Sequence, residues 1–340
     1  MTTTTTTPSP APSRRTVPGL SRVPGVPGRV LPVVATFVLF VLLFGVGSVR
    51  YEGFTSGQVF ANLFIDNAFL IVLAVGMTFV ILTGGIDLSV GAVVALSTMV
   101  AAATLKAGIP APLVILLVLA IGTGLGVVMG LVIHHFEIQP FIVTLAGMFL
   151  ARGLCFVIGV ESISIKDPFF RALATGTIEL PGGVAITWSV VIALVIVALA
   201  AWVLQRTRFG RTIYAIGGSE SSARLMGLPV ARVKVTAYAI SGLCAAVAGL
   251  LFSVYMLSGY GLHAVGMELD AIASVVIGGT LLSGGVGFVL GSLLGVLVLG
   301  VIQTLISFQG TLSSWWTKIA IGTLLLLFIV MQRLFMRRTP

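Results

Sequence analysis

Apolar residues run along this chain in long stretches, broken by polar residues roughly every 20 positions, the length an α-helix needs to cross a hydrocarbon core about 30 Å thick. Stretches near 31–49, 62–83, 88–105, 112–133, 141–159, 185–204, 235–258, 268–283, 287–308 and 315–333 fit that length. They predict an all-α, polytopic membrane protein with about ten transmembrane helices. Barrel strands would alternate apolar and polar positions over about ten residues, and the chain shows no such alternation. Segments 57–66 and 259–267 have the weakest boundaries, and each fits a re-entrant turn as well as a connector.

Polar composition then orients the spans. Residues 1–30, rich in Thr, Pro and Arg, predict a disordered cytoplasmic tail ahead of a transmembrane domain at 31–333. A cleaved signal peptide fits less well, because the first apolar stretch is long and no small-x-small site precedes "SVRYEG". Thirteen of the 19 basic residues sit before the first span, in the hydrophilic loop 205–234, or at the C-terminal end (Arg333, Arg337 and Arg338). The positive-inside rule places all three in the cytoplasm. An even number of crossings agrees, with both termini and the short 334–340 segment inside and 160–184 outside.

Only 9% of the residues are charged and 58% are hydrophobic, with mean hydropathy +1.17. The net charge of +9 is thus a matter of topology, not a nucleic-acid footprint. Forty-one glycines suit close helix contact in lipid. Cys155 and Cys244 both lie in apolar stretches and read as small buried hydrophobes.

Within the 39 residues between Asp66 and Lys106, Asp87 is the only charge, and it follows Gly84 and Gly85 in "TGGIDLSVGAV". Glycine allows the backbone to leave the helix there. Asp87 then reads either as the N-cap of the next helix, accepting the amide of Ser89 or Val90, or as a carboxylate lining a polar break on a substrate route. "LTGGIDLSVG" (82–91) and "LSGGVGFVLG" (282–291) share a frame, and glycine-interrupted helices in corresponding positions point to duplicated halves. Asp66, Asn67, Glu268 and Asp270 flank helices that start on the outer side. They read as helix-end stabilisers or, alternatively, as groups facing an outer vestibule. The "SSWWTK" stretch (313–318) has the character of an interfacial aromatic belt, with sugar stacking by Trp316 as the other reading.

The loop 205–234 carries the clearest soluble signals. Ser219 fits an N-cap, Glu220 the first turn and Gly227 a stop, with Pro229 beyond it. A helix of about two turns is expected over 220–226, enclosing Ala223 and Arg224 and presenting Leu225 and Met226. Such a tip suits docking into a partner's groove, and equally a connector folded against the bilayer. The sequence contains no P-loop, HExxH, CxxC or GxSxG motif, and the His134–His135 pair has no further ligands at metal spacing. Asp87 and Arg152 are the main intramembrane ionisable residues. An ion-coupled secondary sugar carrier therefore stands as the alternative to a pump driven by another subunit.

Taken together, "GMTFVILTGGIDLSVGAVVAL" (76–96), "PFIVTLAGMFLARG" (140–153), "AIGGSESSARLMGL" (215–228) and "ELDAIASVVIGGTLLSGGVG" (268–287) resemble the sugar permeases of bacterial ABC importers, in the ribose/xylose/galactose branch. "NAFLIVLAVGMTF", "RTRFGRTIYAIGG" and "GTLSSWWTKIAIG" are most similar to the galactofuranose permease subunits. The resemblance implies a non-catalytic inner-membrane subunit. It also implies a sister or identical permease, an ABC ATPase that binds ATP and Mg, and a periplasmic or lipid-anchored sugar-binding protein. Residues 219–227 would then be the segment coupled to the ATPase.

Overall fold

The computed structural model describes residues 31–336 other than Leu312 and Ser314, with side chains from Pro32 to Gln332. The expected tail at 1–30, and Arg337 and Arg338 at the other end, lie outside the described residues. The helices are α1 (Leu31–Arg50), α2 (Gly57–Ile65), α3 (Ala68–Leu82), α4 (Val90–Lys106), α5 (Ala111–His135), α6 (Pro140–Ile158) and α7 (Pro168–Thr175). After them come α8 (Trp188–Arg206), α9 (Arg208–Gly218), α10 (Glu220–Leu225), α11 (Val230–Met256), α12 (Met267–Ile277), α13 (Val289–Gln309) and α14 (Trp315–Met336).

The protein is all-α and polytopic, and not every expected span is a full-length helix. Among the described residues seven helices are long and apolar enough to cross a membrane, namely α1, α5, α6, α8, α11, α13 and α14. An eighth span appears if α2 and α3 count as one, bent by 53° at Asp66–Asn67. Segment 57–66 is therefore the first arm of a bent helix pair, the geometry of a broken span or a re-entrant turn. Segment 259–267 follows the two-residue strand β4 (Ser258–Gly259), and its turns lead into α12. The expected spans 88–105 and 268–283 shrink to α4, with 17 residues, and α12, with 11. At 1.5 Å per residue α12 is only about 16 Å long, half the thickness of a hydrocarbon core.

These short helices persist because protein, not lipid, surrounds them. Fourteen of the 15 residues of α3 are buried, as are 13 of the 17 of α4, the pattern of helices that are apolar all round. Hydropathy alone does not distinguish this from a lipid-facing span. The long α11 is the post against which α3, α4 and α5 pack.

Glycine sets that packing distance. On α5, Gly122, Gly126 and Gly130 face α11: a Cβ on Gly126 would fall on the Tyr238 carbonyl, and one on Gly130 would lie 2.9 Å from the Val235 Cα. On α11, Gly242 meets the Gly122 carbonyl in return. Such small-xxx-small faces let helix backbones approach closely where dispersion drives association in place of the hydrophobic effect. Cys155 and Cys244 are both buried and unpaired.

On the face away from α9 and α10, the α6–α8 connection folds into α7 and a hairpin. Asp167 caps α7, accepting the amides of Phe169 and Phe170 at 2.9 and 3.1 Å. The hairpin strands β2 (Thr177–Leu180) and β3 (Val184–Thr187) pair antiparallel, and β1 (Ile163–Ser164) pairs with β4.

Gly126→Leu is expected to destabilise the helical domain by about 1–3 kcal/mol, because the added side chain meets backbone and not a yielding side chain. A thermal-unfolding scan in detergent checks this by a lowered Tm. Gly124→Leu, on the same helix with nothing within 4 Å of its Cβ position, should leave the Tm unchanged.

Candidate functional site

Three glycine-ended helices converge on the side of the bundle that carries the 205–234 loop. The first is α3. Gly84 turns left-handed at φ +82°, the Gly84 amide donates to the Ile81 carbonyl at 2.9 Å, and the Gly85 amide donates to the Val80 carbonyl at 3.2 Å. This is the Schellman closure, which satisfies carbonyls at a helix end. A Cβ on Gly85 would collide with the Tyr238 hydroxyl. Four residues on, Ser89 is the N-cap of α4, and its side chain makes no capping bond to the helix.

Asp87 is fully buried in this break. Its Oδ1 accepts the Ser89 amide at 3.0 Å and the Ser89 hydroxyl at 2.6 Å, and its Oδ2 accepts the Ser241 hydroxyl of α11 at 2.7 Å. The formal cap is therefore Ser89, with Asp87 two residues ahead, yet the carboxylate does take the Ser89 amide that the sequence offers. Every donor comes from within the chain, which is how a buried charge becomes tolerable. Asp87 thus fastens the start of α4 to α11.

The second glycine-ended helix is α12. It closes by the same Schellman bonds, from Gly279 to Val276 at 2.9 Å and from Thr280 to Val275 at 3.1 Å, with Gly279 at φ +92°. The structural counterpart of Gly84 is therefore Gly279, five residues before the Gly284 that the shared sequence frame pairs with it. The "LSGG" glycines form the following loop, where Gly284 and Gly285 adopt φ +85° and +75°, and the Gly285 amide donates to the Leu82 carbonyl at 3.0 Å. Two terminal helices seal this break: Thr36 on α1 donates its hydroxyl to the Ile277 carbonyl at 2.5 Å, and Gln332 on α14 donates to the Val276 carbonyl at 3.2 Å.

The third is α10. Ser219 caps it through the Ser222 amide at 3.3 Å, and Gly227 at φ +73° closes it by the same two bonds, to Arg224 at 3.0 Å and from Leu228 to Ala223 at 3.1 Å. Ala223 is buried, whereas Leu225 is 90% exposed and Met226 66%. An ion-pair network holds the small helix in place. Glu220 binds Lys234 of α11 at 2.5 Å and Arg224 at 2.8 Å, and Arg224 lies 3.6 Å from Glu137 in the α5–α6 turn. Partial burial pushes the Glu220 carboxyl up, but hydrogen bonds and charge from Lys234 and Arg224 outweigh it and hold the group below its ordinary value.

Sequence reasoning missed α9, which fills 208–218 ahead of the docking helix. Its signal was present: Thr207 caps it through the Gly210 amide at 3.1 Å, and Phe209, Ile213 and Ile216 recur at helical spacing.

The remaining candidates lie at the opposite ends of α3 and α12. Asp66 accepts the Tyr255 hydroxyl at 3.3 Å, and the buried Asn67 donates to the Leu63 carbonyl at 2.9 Å. Asp270 pairs with Lys318 of α14 at 2.7 Å. Glu268 brings a buried, unpartnered Oε2 against Gly91. Arg152 donates to the Gly261 and His263 carbonyls at 2.6 and 2.8 Å, tying α6 to the turn before α12. Trp316 is half-exposed at the start of α14. A cavity of about 240 Å³ opens between Ile65, Phe69, Leu173, Thr187, Leu251 and Tyr255. The candidates therefore fall into two groups, one at the helix breaks beside α9 and α10, the other across the bundle, with Glu268 between them against Gly91 at the start of α4.

The family described as "Branched-chain amino acid transport system / permease component" matches residues 59–329. The chain is 49% identical over 306 residues to the inner membrane ABC transporter permease protein YjfF of Escherichia coli (strain K12), covering 90% of this chain and 92% of that one. It is 44% identical to the fructose import permease protein FruG of Bifidobacterium longum (91% and 92% covered). It is 36% identical to the ribose import permease protein RbsC of Haemophilus influenzae (89% and 94% covered). No solved structure matches the chain.

Because the Glu220 carboxyl is held below its ordinary value of 4.5, its hold on α10 is complete above that pH and is lost as pH falls through the lowered value. Hydrogen exchange of amides 221–228, corrected for intrinsic rates, is expected to stay constant from about pH 7 to 5 and to rise at lower pH. Glu220→Gln should show raised exchange across the whole range, by up to about fivefold, the scale of a partly exposed ion pair. Identical profiles for the two proteins would mean that the pair does not hold the helix.

Proposed function

The chain belongs to this permease family, and within the sugar ABC importer permeases that its relatives represent, we propose that it moves a monosaccharide, galactofuranose, inward when a docked ATPase closes. As a member it is a non-catalytic, multi-pass membrane subunit. The family implies an ATPase and a substrate-binding protein as partners. The sugar, the ATP and Mg held by the partner, the pairing with a sister or identical permease, and the cytoplasmic placing of both termini belong to the proposal.

The observation that carries this reading is the build of α10. A six-residue helix is too short to persist alone in water. Here it is capped at both ends, pinned by Glu220, Arg224 and Lys234, and buried at Ala223. All that anchoring leaves Leu225 and Met226 standing free in solvent. A pre-ordered apolar tip loses little entropy on insertion into a groove, which is the arrangement helix-in-groove recognition uses. The basic loop around it supports a cytoplasmic position, where an ATPase would meet it. The galactofuranose assignment rests on the "GTLSSWWTKIAIG" and "RTRFGRTIYAIGG" stretches.

Leu225→Asp combined with Met226→Asp is expected to abolish co-purification of the ATPase from detergent while membrane insertion and yield stay at wild-type levels. Retained co-purification would remove the docking role. Uptake of labelled galactofuranose, ribose, fructose and galactose into cells carrying the gene cluster tests the substrate. Deleting this chain or inactivating the ATPase should each abolish galactofuranose uptake. Loss of a different sugar would change the substrate and keep the class. Uptake that survives the inactive ATPase but collapses with an uncoupler would favour an ion-coupled carrier.

A further inference from the structure

The docking helix packs mainly on α9, with Glu220 also paired to Lys234 of α11. Between it and the helix breaks lies α9, which ends at Gly217–Gly218 immediately before Ser219 caps α10. Along its length α9 touches both halves of the break region. Phe209 stacks on Phe79 of α3, with ring centroids 6.3 Å apart. One and a half turns on, the Tyr214 hydroxyl donates to the Gly287 carbonyl, in the loop after α12, at 2.8 Å.

At its C-terminal end α9 meets both breaks at one residue. A Cβ built on Gly217 would collide with the Leu82 carbonyl and the Gly285 amide, and it would lie 2.9 Å from the Gly285 Cα. Those two groups are the ones that bond each other across the breaks, Gly285 donating to Leu82 at 3.0 Å. All three parties are backbone, so none can move aside as a side-chain tip would. The neighbouring Gly218 has nothing within 4 Å of its Cβ position.

We propose that Gly217 is a positioning residue through which α9 transmits displacement of the docking helix to both helix breaks at once, with the Tyr214–Gly287 bond as the second tie. The inference rests on the reading of α10 as the ATPase contact. The physical basis is direct: α10 begins three residues after Gly217, so pushing or tilting α10 moves the end of α9. That end is wedged where the first break hands a carbonyl to the second. A packed backbone junction of this kind has discrete arrangements instead of a continuous range, which is what turns small shifts into a switch.

The test uses the complete transporter, permease with ATPase and binding protein, in lipid nanodiscs. Hydrogen exchange is followed in three segments, 219–228, 83–89 and 278–288, with and without ATP plus vanadate, alongside the basal ATPase rate. In the wild type, ATPase association should protect 219–228, and trapping should change exchange in both break segments by about threefold or more. In Gly217→Ala, 219–228 should remain protected and basal hydrolysis should persist, while the two breaks no longer respond to trapping. Tyr214→Phe, which removes one hydroxyl and no volume, should weaken the response of 278–288 more than that of 83–89. Gly218→Ala should behave as wild type.

Breaks that respond equally in Gly217→Ala and Gly218→Ala would overturn the proposal. So would an undiminished response of 278–288 in Tyr214→Phe, which covers the case in which Gly217→Ala fails to assemble. A wild-type complex in which 219–228 gains no protection would instead overturn the docking reading on which the proposal stands, and the two failures are therefore distinct.

Discussion

Where a helix ends with its last residue buried in a packed bundle, as α3 does at Leu82 and α12 at Ile277, the carbonyls of its last turn must find protein donors, since water cannot reach them. Leaving one buried and unpaired costs several kcal/mol. Schellman bonds satisfy part of the last turn in both α3 and α12, but the carbonyl of the final helical residue is left over in each. These are Leu82 and Ile277, at equivalent positions. The Leu82 carbonyl receives the Gly285 amide from the other break, and the Ile277 carbonyl receives the Thr36 hydroxyl from α1. The architecture follows from those two leftover acceptors: the breaks must lie against each other, and α1 must lie against the second of them.

Around the breaks the structure is stiff on one side and adjustable on the other. The α5–α11 face is glycine against backbone, and Asp87 clamps α4 to α11 through Ser241. A carboxylate whose three bonds are all made inside the chain holds helices together. On the other side, α9 is joined to the breaks by the close backbone approach at Gly217–Gly218 and one tyrosine bond, and the outer surface of α10 is held by partly exposed ion pairs. The contrast in anchoring separates a scaffold from a lever.

Much of this was legible because the governing chemistry is local. The spans that became α1, α5, α6, α8, α13 and α14 follow from length and hydropathy, and α10 follows from Ser219 and Gly227, a cap and a stop a few residues apart. The helix α9 was lost because its arginines hid a three-residue apolar face. The full-length reading of 268–283 failed because Gly278–Gly279, not the more conspicuous Gly284–Gly285, ends the helix. Both pairs are glycines in an apolar run, and only packing decides which one turns first. The partners of Asp87 and Asn67 were invisible for another reason: Ser241 lies 154 positions from Asp87, and Gly300 meets Asn67 from α13. No sequence window spans such distances.

Thr36 and Gln332 are among the first and last side chains of the described fold, and both close the same break around Val276 and Ile277. Synthesis runs from the N-terminus, so Thr36 precedes α12, and Gln332 leaves the ribosome after the other described helices. Until then the second break holds only one of these two seals. Insertion of α14 is therefore the step at which the described bundle closes around its own second break.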